Sequence, residues 1–251
     1  MAGDEEDYWM EQIEPIYQQL AKRSRWGLMF KTAELHALSR AVQRRLLRHA
    51  LTEIRGNLRS IDMEHVEALL RISGSGHGHD RVIIPGVDAF RSFETLLLAE
   101  PGEFDREARH YRLELPLDVE CELPFQAGFI CVTHLHPRPR NCAKVEEEQG
   151  FSTEWADLDE RAVAEAGGAL AVRNWGPGDE LQRPGHTGPT KVKSLFQEYK
   201  VLLWERRHWP VVVAGNEIAW VRRFGAAARF CAGDENRRLR LRFRPVPGVQ
   251  T

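Results

Sequence analysis

The hydrophobic texture of this chain changes at Ser73-Gly-Ser-Gly-His-Gly-His79, from helical spacing to mostly strand-sized runs, so no all-helical or all-strand fold accommodates both sides of that loop. Ahead of it, apolar residues recur at helical spacing. After it, they come in short runs punctuated by Gly, Pro and Asn. A chain of 251 residues is long enough for two modest cores. The expectation is therefore α+β: an N-terminal helical domain with a small β-hairpin over 1–104, then a smaller mixed α/β domain over 105–251.

The first part predicts three helical regions. Asp4 is placed to cap a segment with Trp9, Ile13, Ile16, Tyr17 and Leu20 inward, which Pro15 should bend or break. Thr32 is placed to cap a second, whose stripe runs Leu35, Leu38, Val42, Leu46, Leu47, Ala50, Leu51 and Ile54 before Gly56 stops it. Ser60 starts a third, with Met63, Val66, Leu69, Leu70 and Ile72 inward and Glu64 closing a capping arrangement. Val82–Ile84 and Thr95–Leu98, with Pro85-Gly86 between them, predict the small hairpin.

In the second part, Leu113–Leu117 and Phe129–Thr133 alternate as strands do, and 137–152 reads as a Pro-, Arg- and Glu-rich loop. A strand over Ala169–Trp175 leads to the turn Gly176-Pro-Gly-Asp179, a Gly/Pro loop over 183–190 and a helix from Lys191 to about Lys200. Strands at Val211–Val213 and Ile218–Arg222 flank the hairpin turn Ala214-Gly-Asn216. A last strand, Arg238–Phe243, alternates arginine with Leu239, Leu241 and Phe243, which predicts one basic and one buried face.

Composition excludes more than it selects. An acidic N-terminus without an apolar stretch is no signal peptide, and no apolar run approaches membrane-spanning length. Four cysteines without a C-x-x-C pair are no disulfide framework, so a reducing cytoplasm is the simplest setting. The formal net charge of −2 gives no global attraction to nucleic acid, but basic residues gather at 40–48 and from Lys191 to Arg244. Such clustering can leave a basic face on a near-neutral chain.

The helix beginning near Lys191 carries the sharpest chemical signal. Lys191 and Lys193 stand at its start, where the helix dipole disfavours cations unless an anion binds there. Two solvated lysines on an ordinary surface are the competing reading. Arg173, Lys200, Arg206, Arg207 and Arg222 lie near in sequence, interleaved with Trp175, Trp204, Trp209 and Trp220, most of which are expected in the core. Cys131, His134, His136 and Cys142 could be weighed as zinc ligands, but their spacing fits no standard finger, and no metal is assigned. His77 and His79 read as solvated, and Glu146–Glu148 as a solvated charge run. No Ser/His/Asp or Cys/His set suggests a nucleophile.

The segment Val172–Val221 resembles the C-terminal domain of the tRNA(Ile)-lysidine synthetases. It offers Arg173, Pro177-Gly178-Asp179, Gly185, Gly188, Lys191, Lys193, Leu195-Phe196, Lys200-Val201, Trp204-Glu205-Arg206, Pro210, Gly215 and Ile218-Ala-Trp-Val221 in the order and spacing of that family. The first third is similar, less distinctively, to the family's helical middle domain. Two departures stand out: Leu202-Leu203 replaces Pro-Arg, and Arg222-Arg-Phe-Gly225 replaces Pro-Gly-Leu. The S-G-G-x-D-S loop of the family's catalytic domain does not occur.

The resemblance implies a tRNA-binding portion that positions tRNA(Ile) with anticodon CAU. A PP-loop ATPase domain, in cis or in trans, would ligate lysine to the wobble cytidine using ATP and magnesium. This chain alone would need no cofactor and have no ligase activity. The RNA-binding residues so implied are Lys191, Lys193, Arg173, Lys200, Arg206, Arg207 and Arg222. The alternative is a family remnant acting as a dimerisation or regulatory module.

Overall fold

A computed structural model describes residues 2–76, 78–102, 110–135, 154–233 and 237–246. The fold is α+β and divides into two compact units, Met1–Glu107 with Leu202–Trp204, and Ala108–Val201 with Glu205–Thr251. His77, His136, Cys142, Glu146–Glu148 and the 137–152 loop lie outside the described residues. Among the described residues, no helix is long and apolar enough to cross a membrane.

The first unit contains α1 (Ala2–Leu20), β1 (Lys22–Ser24), β2 (Gly27–Lys31), α2 (Thr32–Ala37), α3 (Arg40–Arg55), α4 (Met63–Ser73), β3 (His79–Ile84), β4 (Val87–Ser92) and β5 (Thr95–Ala99). Its core is the helical stripe that periodicity predicts: Leu46, Leu47, Ala50 and Leu51 of α3 pack with Val66, Leu69 and Leu70 of α4 and with Ile13 and Tyr17 of α1. Several details differ from expectation. α1 continues through Pro15, and Asp4 lies inside it rather than ahead of it. The second helical region is two helices, α2 and α3, and Thr32 is the first residue of α2, following Lys31. Asp62, not Ser60, caps α4: its carboxylate accepts the His65 N–H at 3.0 Å while His65 Nδ1 accepts the Asp62 N–H at 3.2 Å. That reciprocal pair does the work expected of Glu64. Gly56 ends α3 with φ 77°, as its position predicts.

The expected small hairpin is instead a five-stranded antiparallel sheet, ordered β1-β2-β5-β4-β3. Pro85-Gly86 joins β3 to β4, so β4 lies between the two runs that sequence would have paired. β4 escapes recognition because Asp88 occupies a buried position. Its carboxylate is held by a bidentate Arg81 guanidinium at 2.9 and 2.6 Å. β5 is buried throughout, which explains why it reads as an apolar run instead of alternating.

The second unit contains β6 (Arg112–Glu114), β7 (Glu120–Leu123), β8 (Gly128–Leu135), β9 (Glu154–Asp159), α5 (Glu160–Glu165), β10 (Leu170–Asn174), β11 (Glu180–Leu181), β12 (Thr190–Lys191), α6 (Val192–Glu198), α7 (Leu203–Arg206, shared with the first unit), β13 (Pro210–Ala214), β14 (Glu217–Val221), β15 (Gly225–Ala226) and β16 (Arg238–Arg244). One sheet runs β15-β14-β13-β10-β6 and a second β7-β8-β16-β9. Among the described residues one core lies within the unit, with Phe196, Trp209, Trp220, Phe230 and Phe243 as its largest buried side chains. β16 alternates as read: Leu239, Leu241 and Phe243 are buried, and the arginines face outward. Those arginines are largely matched by acids of the same sheet, on β9 and β7. Arg240 forks onto Asp157 at 2.7 and 2.9 Å, and Arg244 reaches Glu120 at 2.8 Å.

One glycine in the first sheet is required by close approach. Gly27 has φ 132°, and a Cβ there would meet the Leu98 carbonyl oxygen at 2.1 Å. Gly27→Ala is expected to destabilise the first unit by about 2 kcal/mol or more. The measurement is the urea midpoint; an unchanged midpoint would contradict the strand contact.

Candidate nucleic-acid interface

The interface is built from one turn outward. Arg173, on β10, donates both terminal guanidinium nitrogens to Asp179, at 2.7 and 2.8 Å, and one of them also to the Asn174 carbonyl at 3.0 Å. Asp179 additionally accepts the Gly176 N–H at 2.8 Å, which closes the Gly176–Asp179 turn. The Asp179 carbonyl then accepts the Val192 N–H at 2.9 Å, and Glu180 and Leu181 pair with Lys191 and Thr190. One ion pair thereby fixes where α6 begins.

Lys191 is the residue immediately before α6, with extended backbone, and Lys193 is the second residue of the helix; both are exposed. Val192, Leu195 and Phe196 anchor the opposite face of α6 in the core. Lys200 follows the helix, exposed and in the left-handed region at φ 50°. Arg207 is half-buried, and its carbonyl accepts the Asn174 amide at 3.3 Å.

Two of the seven basic residues are buried supports. Arg206 is 6% exposed; its guanidinium donates twice to the Val201 carbonyl, at 2.9 and 2.7 Å, and lies 5.5 Å from the Phe196 ring. Burial pulls its pKa below the usual arginine value. Arg222 is 9% exposed and sits 4.6 Å from the centroids of both Trp209 and Phe243, a double cation–π contact inside the core. The tryptophans are structural as well: Trp204, Trp209 and Trp220 are buried, and half-buried Trp175 meets Phe196 edge-on at 5.0 Å. At the other candidate cluster, Cys131 and His134 show no metal-holding group among the described residues.

The TilS substrate binding domain model matches residues 30–97, and the TilS substrate C-terminal domain model matches residues 170–243. The tRNA(Ile)-lysidine synthase of Solibacter usitatus is 36% identical over 235 residues, covering 94% of this chain and 51% of that protein. This chain belongs to the TilS family. The Geobacter sulfurreducens tRNA(Ile)-lysidine synthase is 28% identical over 211 residues, covering 82% of this chain and 42% of that protein. The chain thus spans about half the length of the curated relatives it matches. A solved TilS C-terminal domain aligns with 55% of the chain and 98% of its own length at 26% identity, with a TM-score of 0.44.

Within this TilS domain, Arg183 is a supporting residue that the sequence alone does not single out. It lies 14% exposed with a terminal nitrogen 3.2 Å from the Tyr199 hydroxyl and 3.7 Å from the Glu198 carboxylate, which ties the Gly/Pro loop to the end of α6. Its only signal was a basic residue opening a loop of Pro184, Gly185, Gly188 and Pro189. Asp179→Ala removes three acceptor contacts and leaves a largely buried guanidinium without its counter-charge, held by the Asn174 carbonyl alone. The expected loss is about 1.5–3 kcal/mol of second-unit stability. Denaturant titration measures it, and a loss below ~0.5 kcal/mol would show the pair behaves as a surface ion pair.

Proposed function

We propose that this chain is the tRNA-gripping part of a tRNA(Ile)-lysidine synthetase, holding tRNA(Ile) with anticodon CAU by its backbone phosphates. The ligation itself would belong to an ATP-binding PP-loop domain, in cis or in trans, that uses ATP and magnesium. The observation that carries this reading is the pair of exposed lysines, Lys191 and Lys193, at the rigidly placed start of α6. Lys200 and Arg207 extend the grip along the same stretch of chain. Arg173, Arg206 and Arg222 belong to the site as supports: the first sets the turn, the second holds the α6–α7 connection through Val201, and the third packs beneath Trp209.

The helix contributes less than the ammonium groups. α6 has seven residues, and the Val192 N–H is already used by Asp179. Two lysines on a fixed backbone can each neutralise a phosphate without reading sequence, which suits positioning rather than base recognition. The cell compartment that follows is the cytoplasm, where tRNA is modified. A remnant acting as a dimerisation or regulatory module would leave these lysines without a binding role.

The double substitution Lys191→Ala, Lys193→Ala tests the reading directly. Affinity for a tRNA(Ile) transcript is expected to fall, and the slope of log K against log salt to flatten by about 1.4–1.8. Unchanged affinity and slope would sink the proposal and favour the remnant.

A further inference from the structure

The hairpin between β7 and β8 turns through Phe125 and Gln126, both in the left-handed region at φ 59° and φ 53°. The Ala127 N–H donates to the Pro124 carbonyl at 3.2 Å, so the two residues are the centre of a tight turn with primed-turn dihedrals. Asn-Gly or Asp-Gly is the pair that such a turn favours, because other L residues are disfavoured there. A phenylalanine held there is best explained by what its ring does.

That ring lies stacked on His208, with centroids 4.3 Å apart and planes 21° from parallel, yet Phe125 remains 38% exposed. Its support is rigid. Tyr111 packs at 6.5 Å and donates its hydroxyl to the His208 carbonyl at 3.4 Å, and Asn174 holds the preceding Arg207 carbonyl. Arg207, one of the proposed grip residues, is thus the immediate chain neighbour of the stacking partner and is itself half-buried rather than enclosed. An exposed aromatic face beside a basic residue, fixed by a backbone that disfavours it, is an arrangement suited to receive a nucleobase.

We infer that Phe125, stacked on His208, is a platform for one unpaired nucleobase of the RNA whose phosphates Lys191, Lys193 and Arg207 hold. The inference rests on the RNA-binding reading above and adds a stacking contact to it. Interior base pairs of an A-form helix present no free face, so the base comes from a single-stranded nucleotide.

The test measures binding of the full chain to an RNA hairpin with a four-nucleotide single-stranded overhang and to the same hairpin with a blunt end. Phe125→Gly is expected to weaken binding to the overhang probe about ten-fold or more. Glycine accepts the left-handed turn, so the melting temperature should hold or rise. Phe125→Leu keeps apolar bulk without a π face and should bind as weakly as Phe125→Gly, whereas Phe125→Tyr should bind like the parent. Parent-like affinity in Phe125→Gly and Phe125→Leu, while Lys191→Ala, Lys193→Ala loses binding, overturns the platform and leaves the phosphate grip standing. An equal loss on the blunt hairpin overturns the unpaired base. A parent chain that binds neither probe overturns the grip and the platform together.

Discussion

The second unit depends on the Arg173–Asp179 ion pair. A single carboxylate takes both ends of a guanidinium and a backbone N–H, and the carbonyl of the same residue receives the first N–H of α6. Strand β10, the Gly176–Asp179 turn and the helix start are therefore one mechanical piece. Lysine side chains are flexible and lose entropy when they bind, so the precision of a lysine-based grip has to come from the backbone beneath it. Here that backbone is fixed from two directions, by Asp179 at the start of α6 and by Arg183 bridging to Tyr199 and Glu198 near its end.

The basic residues divide by chemistry. Arginine, planar and weakly hydrated, is the cation that tolerates stacking on aromatic rings, and the two buried cations among the described residues, Arg206 and Arg222, are both arginines on aromatic faces. The exposed cations of and beside α6, Lys191, Lys193 and Lys200, are lysines, compact point charges suited to non-specific phosphate contact. The arginine stripe of β16 follows a third course, with Asp157 on the adjacent β9 and Glu120 on β7, beyond β8, offsetting its charge. Clustered basic sequence thus resolves into core supports, matched sheet-surface pairs and a smaller set of exposed lysines at α6.

Much of this was legible in the sequence where local signals agree. The stripe of α3, the alternation of β16 and the strands β10, β13 and β14 follow from apolar spacing bounded by glycine turns. Lys191 and Lys193 could be singled out because their position is electrostatically unusual for a helix start. The misses have physical causes. β1 and β2 are short, and their turn relies on Gly27 lying against Leu98 across the sheet. β4 hides a buried aspartate whose partner is on the next strand. The burial of Arg206 depends on the Val201 carbonyl, which the Lys200 turn brings within reach, and that of Arg222 on rings from β16 and the β13 edge. Phe125 occupies a turn that its sequence does not announce. Contacts made across the fold were in each case what the local pattern lacked.

The central claim is that the lysines around α6 face RNA phosphates. Lysine-selective chemical labelling of the full chain, with and without a tRNA(Ile) transcript, tests it most directly. Lys191, Lys193 and Lys200 should be protected by the RNA while Lys22, on β1, keeps its free-chain reactivity. Equal reactivity of the α6 lysines with and without RNA, under conditions where binding is saturated, would contradict the account.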